Sequence, residues 1–171
     1  MRLMALSAAL ALGLSGCGYH VSGHADMLPK TIKTIAVPAF QNNTTRYKLT
    51  EVMAQSITRE FNSRTRYRVV GDEQNADAVL RGTVLNVLSF PTTFDTTTGR
   101  AAGVQINVIV KVELKEKATG KVLYTNPYLE IRERYEISTN SLAYFEESDT
   151  ALNRLSVQVA QSVVSAILEA F

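Results

Sequence analysis

The sequence predicts an α+β fold, a two-layer sandwich with two helices packed on one face of a small mixed or antiparallel sheet. Three observations carry that expectation. Val104 to Leu114 alternates apolar and polar residues with a period of two. Lys48 to Asn62 and Asp149 to Phe171 repeat their apolar residues at helical spacing. Asp95-Thr96-Thr97-Thr98-Gly99 and Ala118-Thr119-Gly120-Lys121 have the composition of hairpin turns, which join antiparallel strands. Strands with one wet face need only one layer of helices to cover the other.

Before the domain, Met1 to Gly16 carry one basic residue, Arg2, then a Leu/Ala-rich run from Leu3 to Leu14 that closes on small residues. This is the pattern of a cleaved secretory signal over residues 1–16. The run would reach only about 18 Å as a helix, short of the ~30 Å core of a bilayer. Leu14-Ser15-Gly16-Cys17 has the form of a bacterial lipobox, which makes Cys17 the expected lipid attachment site and first residue of the mature chain. Several acyl chains would hold it firmly, each buried methylene contributing about 0.8 kcal/mol. Gly18 rather than Asp follows the cysteine, and under the bacterial sorting rule this points to the periplasmic side of the outer membrane.

Residues 17–30 read as a lipidated tether, polar and without periodicity, and residues 31–171 as one domain. Thr31 to Phe40 alternates around Ile32, Ile35 and Val37 between Pro29 and Pro38, and predicts a first strand with an irregular end. Gln41 to Arg46 reads as a polar turn. In the first helix Leu49, Val52, Met53, Ile57 and Phe61 share a face. Tyr67 to Val70 predicts a short strand closed by Gly71-Asp72, and Ala78 to Phe90 a longer one. Val122 to Ile137 is expected as a last strand broken around Asn126-Pro127. The final helix sets Leu152, Leu155, Val159, Val163, Ile167 and Ala170 along one face, with Ser148 or Asp149 as its N-cap.

Charge and motif patterns exclude several functions. With 18 Lys+Arg against 16 Asp+Glu the formal charge is only +2, too small for an electrostatic nucleic-acid binder. One cysteine excludes an internal disulfide. Cys17, His20 and His24 have the spacing of half a zinc site, but an acylated, thioether-linked cysteine offers no thiolate and a fourth ligand is missing. No nucleophile elbow or glycine-rich phosphate loop is present, the only histidines lie in the tether, and Glu146, Glu147 and Asp149 suit a helix N-terminus better than paired catalysis. No enzyme and no cofactor other than the covalent lipid is expected.

The remaining constellation is a strand pair whose polar face carries Lys111 and Lys115 on one strand and Arg132 and Arg134 on the other, interleaved with Glu113, Glu130 and Glu136. Such a face is ordinarily solvated, with cross-strand ion pairs. It is also what an anionic ligand would meet, since guanidinium and ammonium groups pair with phosphates and carboxylates.

Cys17-Gly18-Tyr19-His20 with Gly23, then Ile32-Lys33-Thr34-Ile35-Ala36-Val37-Pro38-Ala39-Phe40 with Asn43-Thr44, resembles the N-terminal region of the LptE family of outer-membrane lipoproteins. Glu60-Phe61, Arg64-Thr65, Tyr67 to Val70, Ala76 to Gly82 and Thr119 to Tyr124 are similar to later blocks of that family. The resemblance runs through essentially the whole mature chain. It implies two helices on a small sheet, and a protein that plugs the lumen of the LptD β-barrel, supports its assembly and interacts with lipopolysaccharide. It does not carry ligand-contacting positions onto this chain, so the basic face rests on the strand pattern alone. Ile35 to Phe40 with Asn43-Thr44 also resembles the opening of periplasmic domains in curli-secretion and Tol-type lipoproteins, which leaves an adaptor of another envelope machine as the alternative.

Overall fold

The computed structural model describes residues 28–138 and 148–170. The signal segment, Cys17, His20, His24, Glu146 and Glu147 lie outside the described residues. In chain order the elements are β1 (Thr34–Ala36), β2 (Gln41–Asn42), α1 (Lys48–Arg64), β3 (Arg68–Val70), a 3-10 turn (Glu73–Asn75), β4 (Ala78–Phe94), β5 (Ala101–Glu116), β6 (Val122–Glu136) and α2 (Ser148–Glu169). The strands form one mixed sheet in the order β3-β1-β4-β5-β6, with β2 beside β4. β1 runs parallel to β3 and β4, and β2 parallel to β4. The hairpins β4-β5 and β5-β6 are antiparallel. This is the predicted α+β architecture.

β5 is the axis of the fold because every second residue from Val104 to Leu114 is apolar, although Ile109 also interrupts its polar face. Val104, Ile106, Val108, Val110, Val112 and Leu114 are all buried on one face. Against that face lie Leu49, Met53, Ile57 and Phe61 of α1 and Leu155, Val159, Val163 and Ile167 of α2, all essentially without solvent contact. Burial of a side chain of this size contributes about 1.5–3 kcal/mol, so this layer dominates the stability of the fold. The two helices also meet each other, and Arg64 Nη1 donates to Ser165 Oγ at 2.8 Å. Both hairpin turns place a glycine at positive φ, Gly99 at 68° and Gly120 at 72°, a conformation that costs a residue with a Cβ more than it costs glycine.

Several details depart from the sequence expectation. Thr31 to Phe40 is not one strand: β1 covers only Thr34–Ala36, and Gln41–Asn42, expected in a turn, pairs with Thr83 and Val84 of β4. The chain between them folds Phe40 onto Gly82, a neighbour that no local pattern records. β4 continues through Pro91 to Phe94, and β6 passes through Asn126-Pro127 with only a shift of register between the Val110 and Val112 pairs. Among the described residues no strand pairs with the outer edge of β4 beyond Val84, so Pro91 forfeits no ladder bond there. Ala170 is exposed beyond the end of α2, and Asp149 sits in the first helical turn that Ser148 opens.

A bulge in β4 matters for the outer face. Val84 pairs with Val110 but Asn86 with Ile109, so Leu85 is the extra residue and the parity of β4 inverts. Before it, Leu80, Gly82 and Val84 face the helices; after it, Leu88 and Phe90 fall opposite Asn107 and Gln105 on the wet face.

Candidate ligand-binding face

Strand register places all four predicted cations on the face opposite the helices. Lys111 and Lys115 belong to the polar parity of β5, while Arg132 and Arg134 lie opposite Asn107 and Gln105. They do not form one cluster. Lys111 and Lys115 stand about 13 Å apart along β5, and the level of Arg134 is about 33 Å from that of Lys115. Lys111 lies as far from the level of Arg132 as from Lys115, so the cations are strung along the face, and the polar network around Arg132 is what divides it into two regions.

The region nearer the β4-β5 hairpin is a connected polar network. Gln105 Nε2 donates to Asn107 Oδ1 at 2.9 Å, and Asn107 Nδ2 donates to Glu130 Oε1 at 2.9 Å. Arg132 Nε donates to the same carboxylate oxygen at 3.0 Å. The hydrogen bond from Arg132 holds the Glu130 carboxyl below its ordinary range, with the Arg132 charge and Asn107 acting in the same direction. Reciprocally, Glu130 raises the pKa of Arg132. Arg132 thus has an intramolecular carboxylate partner, and an incoming anion must compete with it. Arg134 is exposed, and its backbone carbonyl accepts a hydrogen bond from Arg154 Nη2 of α2 at 2.9 Å.

The other region gains a cation that the sequence pattern missed. Arg81 of β4 lies directly opposite Glu113, between the levels of Lys111 and Lys115 on the same face. It pairs with Glu73 of the 3-10 turn, and shallow depressions beside it are lined by Lys115 and Lys117 on one side and by Lys111 and Thr83 on the other. The signal was present in the alternation of Ala78 to Val84, but assigning Arg81 to Lys111 required the cross-strand register. Beneath the 3-10 turn, Ala36, Ala76 and Val79 form a small second core on this otherwise wet face.

Among the described residues no helix is long and apolar enough to cross a membrane, and no three His, Cys, Asp or Glu side chains gather as a metal site. One helix-covered face and one open, mixed-charge face make up an α+β domain. The family model described as LptE, lipopolysaccharide-assembly, matches residues 32–167, and the chain belongs to that family. No curated protein matches it by sequence. Among solved structures, the solution structure of lipoprotein B from Nitrosomonas europaea is similar at 14% identity and a TM-score of 0.52, covering 90% of this chain and 96% of that one. The CT253 protein of Chlamydia trachomatis is similar at 10% identity and a TM-score of 0.52, covering 80% and 96%. XCC0632 from Xanthomonas campestris follows at 14% and 0.51, covering 83% and 89%. At these identities the structural likeness establishes a shared fold.

Proposed function

We propose that the protein is a non-enzymatic lipoprotein anchored through Cys17 to the periplasmic side of the outer membrane, where it plugs and helps assemble an LptD-like β-barrel in lipopolysaccharide transport and insertion. The observation that carries this reading is the family match over residues 32–167. The lipobox supports the anchor, and confinement to one leaflet raises the effective concentration of the domain near a barrel in the same membrane. A plug inside a hydrated lumen needs a largely polar outer surface, and Gln105, Asn107, Lys111 and Glu113 supply one along β5, interrupted by Ile109. Lys111 and Lys115, together with Arg132 and Arg134, are the groups that would meet glycolipid phosphates.

The test is affinity purification of the lipidated protein from its native outer membrane, followed by mass spectrometry. A large LptD-like barrel recovered in roughly equal amount is the expected result. Recovery of a different secretion pore in its place would support the adaptor alternative and remove the lipopolysaccharide role.

A further inference from the structure

The largest cavity that bears on the anchor lies at the root of the tether, on the opposite end of β4 from the β4-β5 hairpin tip. It has a volume of about 880 Å³. Leu28, where the described chain begins, is buried, and its N–H donates to Tyr67 Oη at 3.3 Å. The described chain therefore begins at the wall of this cavity. Leu28 and Ile32 give it an apolar floor, and both are only 4% exposed.

Its rim is cationic. Lys30 and Lys33 come from the segment entering β1, and Arg66 and Arg68 from the turn and strand that follow α1; all four are exposed. The acid on the rim is Asp77, whose Oδ2 already accepts from the N–H groups of Lys33 and Thr34 and from the Thr34 hydroxyl, each at 2.8 Å. Lys33 also compensates part of that charge. Two separate stretches of chain thus bring four cations around a cavity whose one carboxylate among the described residues is internally satisfied.

The ten residues between Cys17 and Leu28 reach at most about 40 Å when fully extended. A lipid-anchored Cys17 keeps this cavity within that distance of the leaflet surface. We propose that the cavity docks on the anionic phospholipid surface of the leaflet holding the anchor, with a headgroup phosphate seated among Lys30, Lys33, Arg66 and Arg68. This rests on Cys17 being acylated, as the proposed function requires. Docking fixes the orientation of the lipidated domain before a barrel takes it up: in that state the cavity pole faces the lipid, and β4 and β5 carry their hairpin tip about 55 Å away from it. Each basic group near an anionic surface strengthens such docking about fivefold, so four suffice to orient a domain whose anchor already supplies attachment.

The test uses the full lipidated protein reconstituted into vesicles of phosphatidylcholine alone or of phosphatidylcholine with phosphatidylglycerol. Acylation rates of Lys30 and Lys33 are read by mass spectrometry, with Lys48, at the far end of α1, as the internal reference. The expected result is acylation of Lys30 and Lys33 slowed about fivefold or more by the anionic lipid, with Lys48 unchanged. In K30E/R68E, shown to be folded by its melting transition, Lys33 loses that protection. Equal rates in both vesicles would overturn the proposal. So would equal protection by inorganic phosphate in neutral vesicles, which would assign the cavity to a free anion. Flotation with neutral vesicles reports the Cys17 anchor separately, so loss of the anchor is distinguishable from failure of the cavity.

Discussion

The ring of Phe40 rests directly on the backbone of Gly82: a Cβ placed on Gly82 would stand 2.1 Å from Cε2 of the ring. Phe40 is 4% exposed and enters the same core as α1 and α2. This contact lets the chain leave the edge of β4 after β1, at Ala78 and Val79, and rejoin the same edge as β2 beside Thr83 and Val84. Gly82→Ala forces the ring out of place, with an expected loss of about 1–3 kcal/mol, and Phe40→Ala about 3–5 kcal/mol. Because the two changes act on one contact, the double variant should lose less than the sum. Urea denaturation midpoints of the four proteins measure this directly.

Asp77 ties the start of β4 to β1. The N–H of Lys33 and the Thr34 hydroxyl and N–H hold its carboxyl below the ordinary value of 3.8. A carboxyl lowered in the folded state contributes stability that is complete above its unfolded pKa and is lost as pH falls through its folded pKa. The wild-type protein should therefore lose stability on acidification below about pH 4 more steeply than Asp77→Asn. Asp77→Ala should lose about 1–3 kcal/mol at neutral pH by leaving the Lys33 and Thr34 donors without this acceptor. Thermal melts across the acidic range distinguish the two effects.

The two basic regions of the wet face should differ in their response to an anionic glycolipid. Arg132 already has Glu130 as a partner, so reversing Arg132 and Arg134 together removes less ligand attraction than reversing Lys111 and Lys115. K111E/K115E should weaken lipopolysaccharide binding about tenfold, with smaller differences from wild type as salt rises. Titration at two ionic strengths checks this. Equal loss in both double variants would show that the Arg132–Glu130 pair opens on binding.

Glu133 clamps β6 to α2. Its two carboxylate oxygens accept from Arg154 Nε at 2.8 Å and Gln158 Nε2 at 2.6 Å. It lies opposite Ile106, on the helix side of the sheet. Glu133→Ala leaves both donors to find water and should cost about 1–3 kcal/mol. Hydrogen exchange should accelerate first in the Leu129 to Glu136 half of β6, because that half pairs only with β5 and leans on α2 through this carboxylate.

How much of this could be read from the chain depended on whether the deciding neighbour was near in sequence. β5 was fully legible because every second residue from Val104 to Leu114 meets the same helix layer. The faces of α1 and most of α2 were legible for the same reason. Thr31 to Phe40 was misread because its alternation ends on a ring whose partner, Gly82, lies more than forty residues away. The longer strand expected over Ala78 to Phe90 runs on through Pro91 to Phe94, and only the open edge beside the proline shows why it is tolerated. On the wet face, the sidedness of Lys111, Lys115, Arg132 and Arg134 followed from period two. Their separation, the addition of Arg81 and the Arg132–Glu130 pair required the register between strands.

The open edge of β4 has a consequence for handling the protein outside its membrane. From Asn86 to Phe94 the strand bears no charged side chain, and Leu88, Phe90 and Phe94 are 39%, 45% and 57% exposed. An uncharged strand edge is a template on which a second chain can extend the sheet, the first step toward aggregation. Pro91 removes one N–H from that template, and the bulge at Leu85 twists its base, so the proline serves as a gatekeeper at the position where a growing fibril would otherwise find its longest uninterrupted register.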